Sequence, residues 1–132
     1  MIGLDTNVLI RYIVQDDPKQ AGIATRLIES KCTADTPGYI SFIVLVEVAW
    51  VLARAYGYSR DVISGVLQQV LSTAELVVEN HTVAWLALSD YQNSSSNYSD
   101  CLIGRIHQEN GCEVTVTFDK KAGRIDTFQL LK

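Results

Sequence analysis

The chain has 132 residues, 48% of them apolar, which is enough for a single globular domain over residues 1–132 with a substantial core. Its 15 acids exceed its 11 bases for a formal charge of −4, which excludes a protein that holds nucleic acid by overall basicity; such contact needs a local basic rim or a bound cation. No apolar run approaches the ~18 residues of a membrane span. The N-terminus lacks the basic start of a signal peptide. Cys32, Cys101 and Cys112 form an odd set without a Cys-x-x-Cys pair, which argues against a disulfide framework or zinc site and for a reducing cytoplasm.

Taken in order, Ile2–Leu4 reads as a buried strand that runs into Asp5, and Val8–Val14 reads as a helix. Asp17-Pro18-Lys19-Gln20 is a strong helix start, with Asp as N-cap, Pro at N1 and Gln at N3. Ala21, Ile23, Ala24, Leu27 and Ile28 continue that helix at i, i+3, i+4 spacing, and Pro37-Gly38 turns the chain into a strand around Tyr39–Ile40. Ser41 caps a helix predicted to run to about Tyr56 and to stop with Gly57 at C′. That helix is apolar nearly all round, so it is expected to be central. Ser59 opens a further helix whose apolar face is Val62, Ile63, Val66, Leu67, Val70 and Leu71.

Leu76–Val78 is a short strand, and Thr82–Asp90 a helix that frays into the polar stretch Gln92–Asn97. Tyr98–Asn110 is a helix ended by Gly111, Val114–Thr117 a strand, Asp119–Arg124 a helical turn and Phe128–Leu131 a last strand. Strands separated by helices indicate an α/β sandwich with a mostly parallel sheet. Ligands of such sheets bind beyond the carboxyl ends of the strands, where Asp5 and Asp119 fall.

Four acids stand out. Glu47 has Ile43, Val44, Trp50 and Val51 as its helical neighbours, and an unpaired buried carboxylate there would cost several kcal/mol or take up a proton. Arg54, at i+7, offers a salt bridge as one resolution; a metal ion offers another. Asp5 and Asp119 read equally as helix caps. Asp100 lies at N3 behind Asn97 as N-cap, the acidic position of a capping box. Should the four converge, their mutual repulsion would need a cation, and oxygen-only ligands suit Mg²⁺ or Mn²⁺. His81 and His107 stand far from these positions, and Cys101 reads as a packing residue.

Four segments together resemble the PIN domain family, and within it the VapC-type toxins of toxin–antitoxin pairs: Leu4–Tyr12, Glu47–Leu52, Tyr98–Ile103 and Val116–Lys121. The resemblance covers almost the whole chain. It implies a PIN-like three-layer α/β/α sandwich and a metal-dependent endoribonuclease that hydrolyses phosphodiester bonds in selected RNA, tRNA or another structured RNA. By similarity, Asp5 and Asp100 would be the principal Mg²⁺ (or Mn²⁺) ligands, and Glu47 and Asp119 would complete the set directly or through water. Thr6, Asn7 and Thr117 would orient the carboxylates. Many family members carry an acid where this chain has Asn97, kept here as a cap or helper.

Arg11 and Lys120, among the cations Arg11, Arg54, Arg105, Lys120 and Lys121, are the candidate RNA contacts, with Tyr98 as a nearby aromatic. The resemblance also implies a small VapB-like antitoxin, and a homodimer or toxin–antitoxin hetero-oligomer built on the helices Asp17–Lys31 and Ser41–Tyr56. The competing reading is a non-catalytic PIN-like interaction module.

Overall fold

A computed structural model describes all residues, Met1–Lys132, as two compact units, Met1–Glu79 and Asn80–Lys132. None of its helices is long and apolar enough to cross a membrane.

In the first unit, strand β1 (Ile2–Gly3) leads into helix α1 (Thr6–Val14) and then α2 (Pro18–Lys31). Strand β2 (Gly38–Ile40) leads into α3 (Phe42–Arg54) and α4 (Arg60–Ser72), and β3 is Leu76–Val78. The three strands form a parallel sheet in the order β1-β2-β3, with Ile2 opposite Gly38 and Gly38 opposite Leu76. Two helices therefore fill each crossover, as parallel neighbours require. Gly38 is glycine because the central strand is crowded: a Cβ there would lie 2.7 Å from Leu4 Cδ1 and 3.1 Å from Cys32 Sγ.

The helix starts follow the sequence reading. Asp17 accepts from Gln20 N at 3.1 Å with Pro18 in the first turn, and Ser41 and Ser59 accept from Val44 N and Val62 N. The helix ends follow it less closely. Helix α3 stops at Arg54 with Ala55 as its C-cap, and Gly57, at φ +65°, turns the chain after it as Tyr58 N donates to Leu52 O. Nor is α3 buried all round. Leu45, Val48, Ala49 and Leu52 form its core face, while Ile43 is 73% and Trp50 61% exposed. A largely apolar helix thus sits at the surface, and Ile43 and Trp50 on its outer face are not covered by this chain.

The second unit holds α5 (His81–Gln92), α6 (Tyr98–Glu109), the parallel pair β4 (Thr115–Thr117) and β5 (Phe128–Leu130), and a 3₁₀ turn at Ala122–Arg124. Helices α5 and α6 are joined by three kinds of contact. The buried Tyr98 hydroxyl donates to Ala84 O at 3.0 Å, and its ring meets Tyr91 edge-on, 6.0 Å between centroids. Arg105 grips Asp90 with two parallel bonds, Nε to Oδ2 at 2.7 Å and Nη2 to Oδ1 at 2.9 Å. Both Tyr98 and Arg105 are therefore committed to packing, which removes them from the candidate RNA contacts. Every strand pair in the chain is parallel, the mixed α/β organisation expected from the sequence.

Gly104 lets α6 close onto β5: a Cβ on it would lie 2.8 Å from Phe128 Cε2 and would also strike the Thr127 side chain. Gly104→Ala should therefore lower the unfolding free energy by about 1–3 kcal/mol, the usual range for overpacking, despite alanine's better helix propensity. Urea denaturation checks this, and an unchanged midpoint would show that the contact relaxes freely.

Candidate metal centre

In the first unit the site begins with the strand-to-helix junction. Asp5 leaves β1 in extended conformation (φ −83°, ψ 161°) and its Oδ1 accepts from Thr6 N at 2.8 Å, so Asp5 is the N-cap of α1. Its Oδ2 remains uncommitted. Thr6 then turns its hydroxyl to α3, donating to Glu47 Oε1 at 3.2 Å. One residue thus binds two acids, one through its backbone and one through its side chain. Asp5, Thr6, Asn7, Arg11 and Glu47 line a single cleft of about 340 Å³ with Val51 and Tyr56.

Two expectations for Glu47 change. The carboxylate is exposed rather than enclosed by its apolar neighbours, because it lies on the solvent side of α3 beside the cleft. Arg54 does not pair with it; the guanidinium sits over the Trp50 ring, 5.8 Å from the centroid. The burial argument for a metal therefore falls away, and what singles out Glu47 is its contact with Thr6.

Arg11 is the cation of this cleft, and it is held. Its Nε donates to Gln20 Oε1 at 2.8 Å, and its Nη1 donates to Asp16 Oδ1 at 3.2 Å and to the Tyr56 hydroxyl at 3.1 Å. Tyr56 in turn donates to Asp16 Oδ2 at 2.9 Å. The hydrogen bond from Tyr56 is the main cause that lowers the Asp16 pKa, with Arg11 adding to it. The sequence did not reveal that Asp16, Gln20 and Tyr56 hold Arg11; Tyr56 is 45 residues from Arg11, beyond any local pattern.

In the second unit, Asn97 takes the N-cap position of α6 but its side chain makes no capping hydrogen bond, so the expected capping box is not formed. Asp100, at N3 of that helix, is partly buried. Its pKa is raised, first by burial and then by the charge of Asp119. Asp119 is fixed at the end of β4: Thr117 Oγ1 accepts from Asp119 N at 3.0 Å, and Asp119 Oδ1 accepts from Lys121 N at 2.8 Å and Ala122 N at 3.0 Å. Like Asp5, it commits one oxygen to a turn and keeps the other. Ser96, Asn97, Asp100, Asp119, Lys120 and Lys121 line one cleft of about 400 Å³. Ser96 is buried and its hydroxyl has no partner, a feature with no signal in the sequence.

The four acids thus appear as two pairs, Asp5 with Glu47 and Asp100 with Asp119, each lining its own unit's cleft. No three His, Cys, Asp or Glu side chains gather as a ready-made metal cage. The donor set still suits a hard cation: Mg²⁺ is commonly bound through one or two carboxylates while it keeps several waters.

The Asp100 shift has a consequence for stability. A folded-state pKa above the unfolded one gives a contribution that is fully present below the unfolded pKa and is lost as pH rises through the folded pKa. Asp100→Asn, isosteric and uncharged, should therefore melt at higher temperature than the parent at neutral pH in EDTA. The difference should vanish below the carboxylate range. Thermal melts across pH check this, and a pH-independent difference would refute it.

A family model described as PIN domain matches residues 2–127. No curated protein matches the chain. PIN domains are broadly associated with nuclease activity and are generally metal-dependent. With the match spanning nearly the whole sequence, and with acids placed after parallel strands, the chain belongs to the PIN domain family.

Proposed function

We propose that this protein is a Mg²⁺- or Mn²⁺-dependent endoribonuclease of the VapC type, acting on a structured RNA such as tRNA. Asp5 and Asp100 are its principal metal ligands, with Glu47 in the Asp5 cleft and Asp119 in the Asp100 cleft contributing directly or through water. The observation that carries the reading is the state of the carboxylates. Asp5 and Asp119 each hold a local turn with one oxygen and keep the other free. Asp100 meets the repulsion of Asp119 with no lysine paired to either, although Lys120 and Lys121 line the same cleft. Such acids are held ionised most simply by a cation.

A divalent ion in this setting supplies positive charge that eases deprotonation of an attacking water and offsets charge building on the phosphate oxygens. The chain's own residues do the rest. Thr6 fixes the Asp5 and Glu47 carboxylates relative to one another through its N–H and hydroxyl. Thr117 sets the backbone from which Asp119 projects. Asn7 and Asn97 line the two clefts as neutral hydrogen-bonding groups. Arg11 is the cation beside the first pair; the bonds from its Nε and Nη1 leave Nη2 for a phosphate. Lys120 has the same role beside the second pair.

By the same reading the partner is a small VapB-like antitoxin, and the acidic charge of −4 favours a basic one. Expression of the chain should arrest growth, and co-expression of a short adjacent reading frame should relieve the arrest.

Asp5→Asn and Asp100→Asn should keep the fold by circular dichroism yet lose divalent-dependent RNA cleavage. Thr6→Val, which keeps the shape but drops the hydroxyl, should lower metal affinity or activity by roughly 10–100-fold. EDTA should stop cleavage by the parent protein, and added Mg²⁺ or Mn²⁺ should restore it. Equal cleavage in EDTA would sink the metal mechanism. If calorimetry detects neither Mg²⁺ nor Mn²⁺ binding, a non-catalytic interaction module becomes the better description.

A further inference from the structure

Two buried side-chain polar atoms of the chain have no hydrogen-bond partner, the hydroxyls of Ser96 and Thr127. An unpaired buried hydroxyl destabilises a folded chain, so each needs a physical account. Thr127 packs against Gly104 inside the contact between α6 and β5, and it lines neither acid cleft. Ser96 differs. It is only 1% exposed, yet it lines the cleft of the second unit beside Asn97, Asp100 and Asp119. Its place in the chain is fixed on both sides. The Ser96 N–H donates to Ser94 Oγ at 3.3 Å, and two residues further on the buried Tyr98 hydroxyl is tied to Ala84 O.

The chemistry of the cleft indicates what kind of group completes Ser96. Lys120 and Lys121 line it, but neither pairs with Asp100 or Asp119, and neither reaches the Ser96 hydroxyl. A hydrated cation beside two carboxylates presents polarised water O–H groups, and Mg²⁺ in carboxylate sites keeps several of its waters. A serine hydroxyl has two lone pairs with which to accept from such a water. As a neutral oxygen it competes poorly with carboxylates for the ion itself.

We infer that the Ser96 hydroxyl accepts a hydrogen bond from a water carried by a divalent cation in the second unit's cleft, and so orients that water. The inference rests on the proposed cation site at Asp100 and Asp119. Ser96 is then a positioning residue, acting on the ion through the water, as outer groups around metal sites commonly do. Its unpaired hydroxyl destabilises the metal-free fold and is satisfied when the ion binds, the usual trade between stability and a preformed site.

The metal-free and metal-bound proteins should therefore respond to its removal in opposite ways. Ser96→Ala takes away the unpaired group, so in EDTA it should melt at or above the temperature of the parent. Its affinity for Mg²⁺ and Mn²⁺, measured by calorimetry on the full chain without RNA, should fall roughly 10–100-fold. Ser96→Cys nearly keeps the volume but offers a poor acceptor, and it should lose affinity to a similar extent.

A lower melting temperature for Ser96→Ala in EDTA overturns the inference, because the hydroxyl then serves the fold itself. Affinity that the thiol retains and alanine loses also overturns it, by making volume the determinant. Unchanged Mg²⁺ and Mn²⁺ affinity in both variants overturns it while the cation site stands. A parent chain that takes up neither ion removes the cation reading, and the role of Ser96 with it.

Discussion

Parallel pairing of β1 and β3 on either side of β2 is the constraint from which the first unit's cleft follows. Three strands that run the same way deliver their carboxyl ends to one edge of the sheet. Asp5 follows β1, Ser41 and α3 follow β2, and Glu79 follows β3. Because both α1 and α3 start at that edge, Thr6 can reach Glu47, which is 41 residues away in sequence. An antiparallel arrangement would send alternate strand ends to the opposite edge and separate these groups.

The second unit reaches a comparable result by different means. Its carboxylates are set by a helix start and by a turn after a strand, with Thr117 and the Lys121 and Ala122 amides holding Asp119 in place. Helix α6, which carries Asp100, is itself held against α5 by the Tyr98 hydroxyl and by the two-pronged contact of Arg105 with Asp90. Two residues that resemble substrate contacts in sequence are thus the ones that position an acid.

Capping and metal binding do not exclude one another here. A carboxylate has two oxygens, and Asp5 and Asp119 each engage one in a backbone N–H bond. That bond restricts the side chain, which lowers the entropy lost when the other oxygen takes a ligand. The same economy explains Arg11. Its bonds to Gln20, Asp16 and Tyr56 hold the guanidinium rigid at the edge of the first cleft.

The sequence by itself determined the element order, the parallel α/β class and the Asp17, Ser41 and Ser59 caps, because these depend on short-range chemistry: apolar period, Ser and Asp before helices, Pro at N1. It also picked out the four acids, since each interrupts or ends such a pattern. Only the tertiary structure decided which groups touch. It showed Glu47 exposed and bonded to Thr6, Arg54 stacked on Trp50, Asn97 making no cap bond, and Tyr56 completing the Arg11 network. Apolar residues around Glu47 could not report its burial, because helical neighbours fix a face but not what packs against it. That depends on contacts between residues far apart in the chain, and local sequence does not encode them.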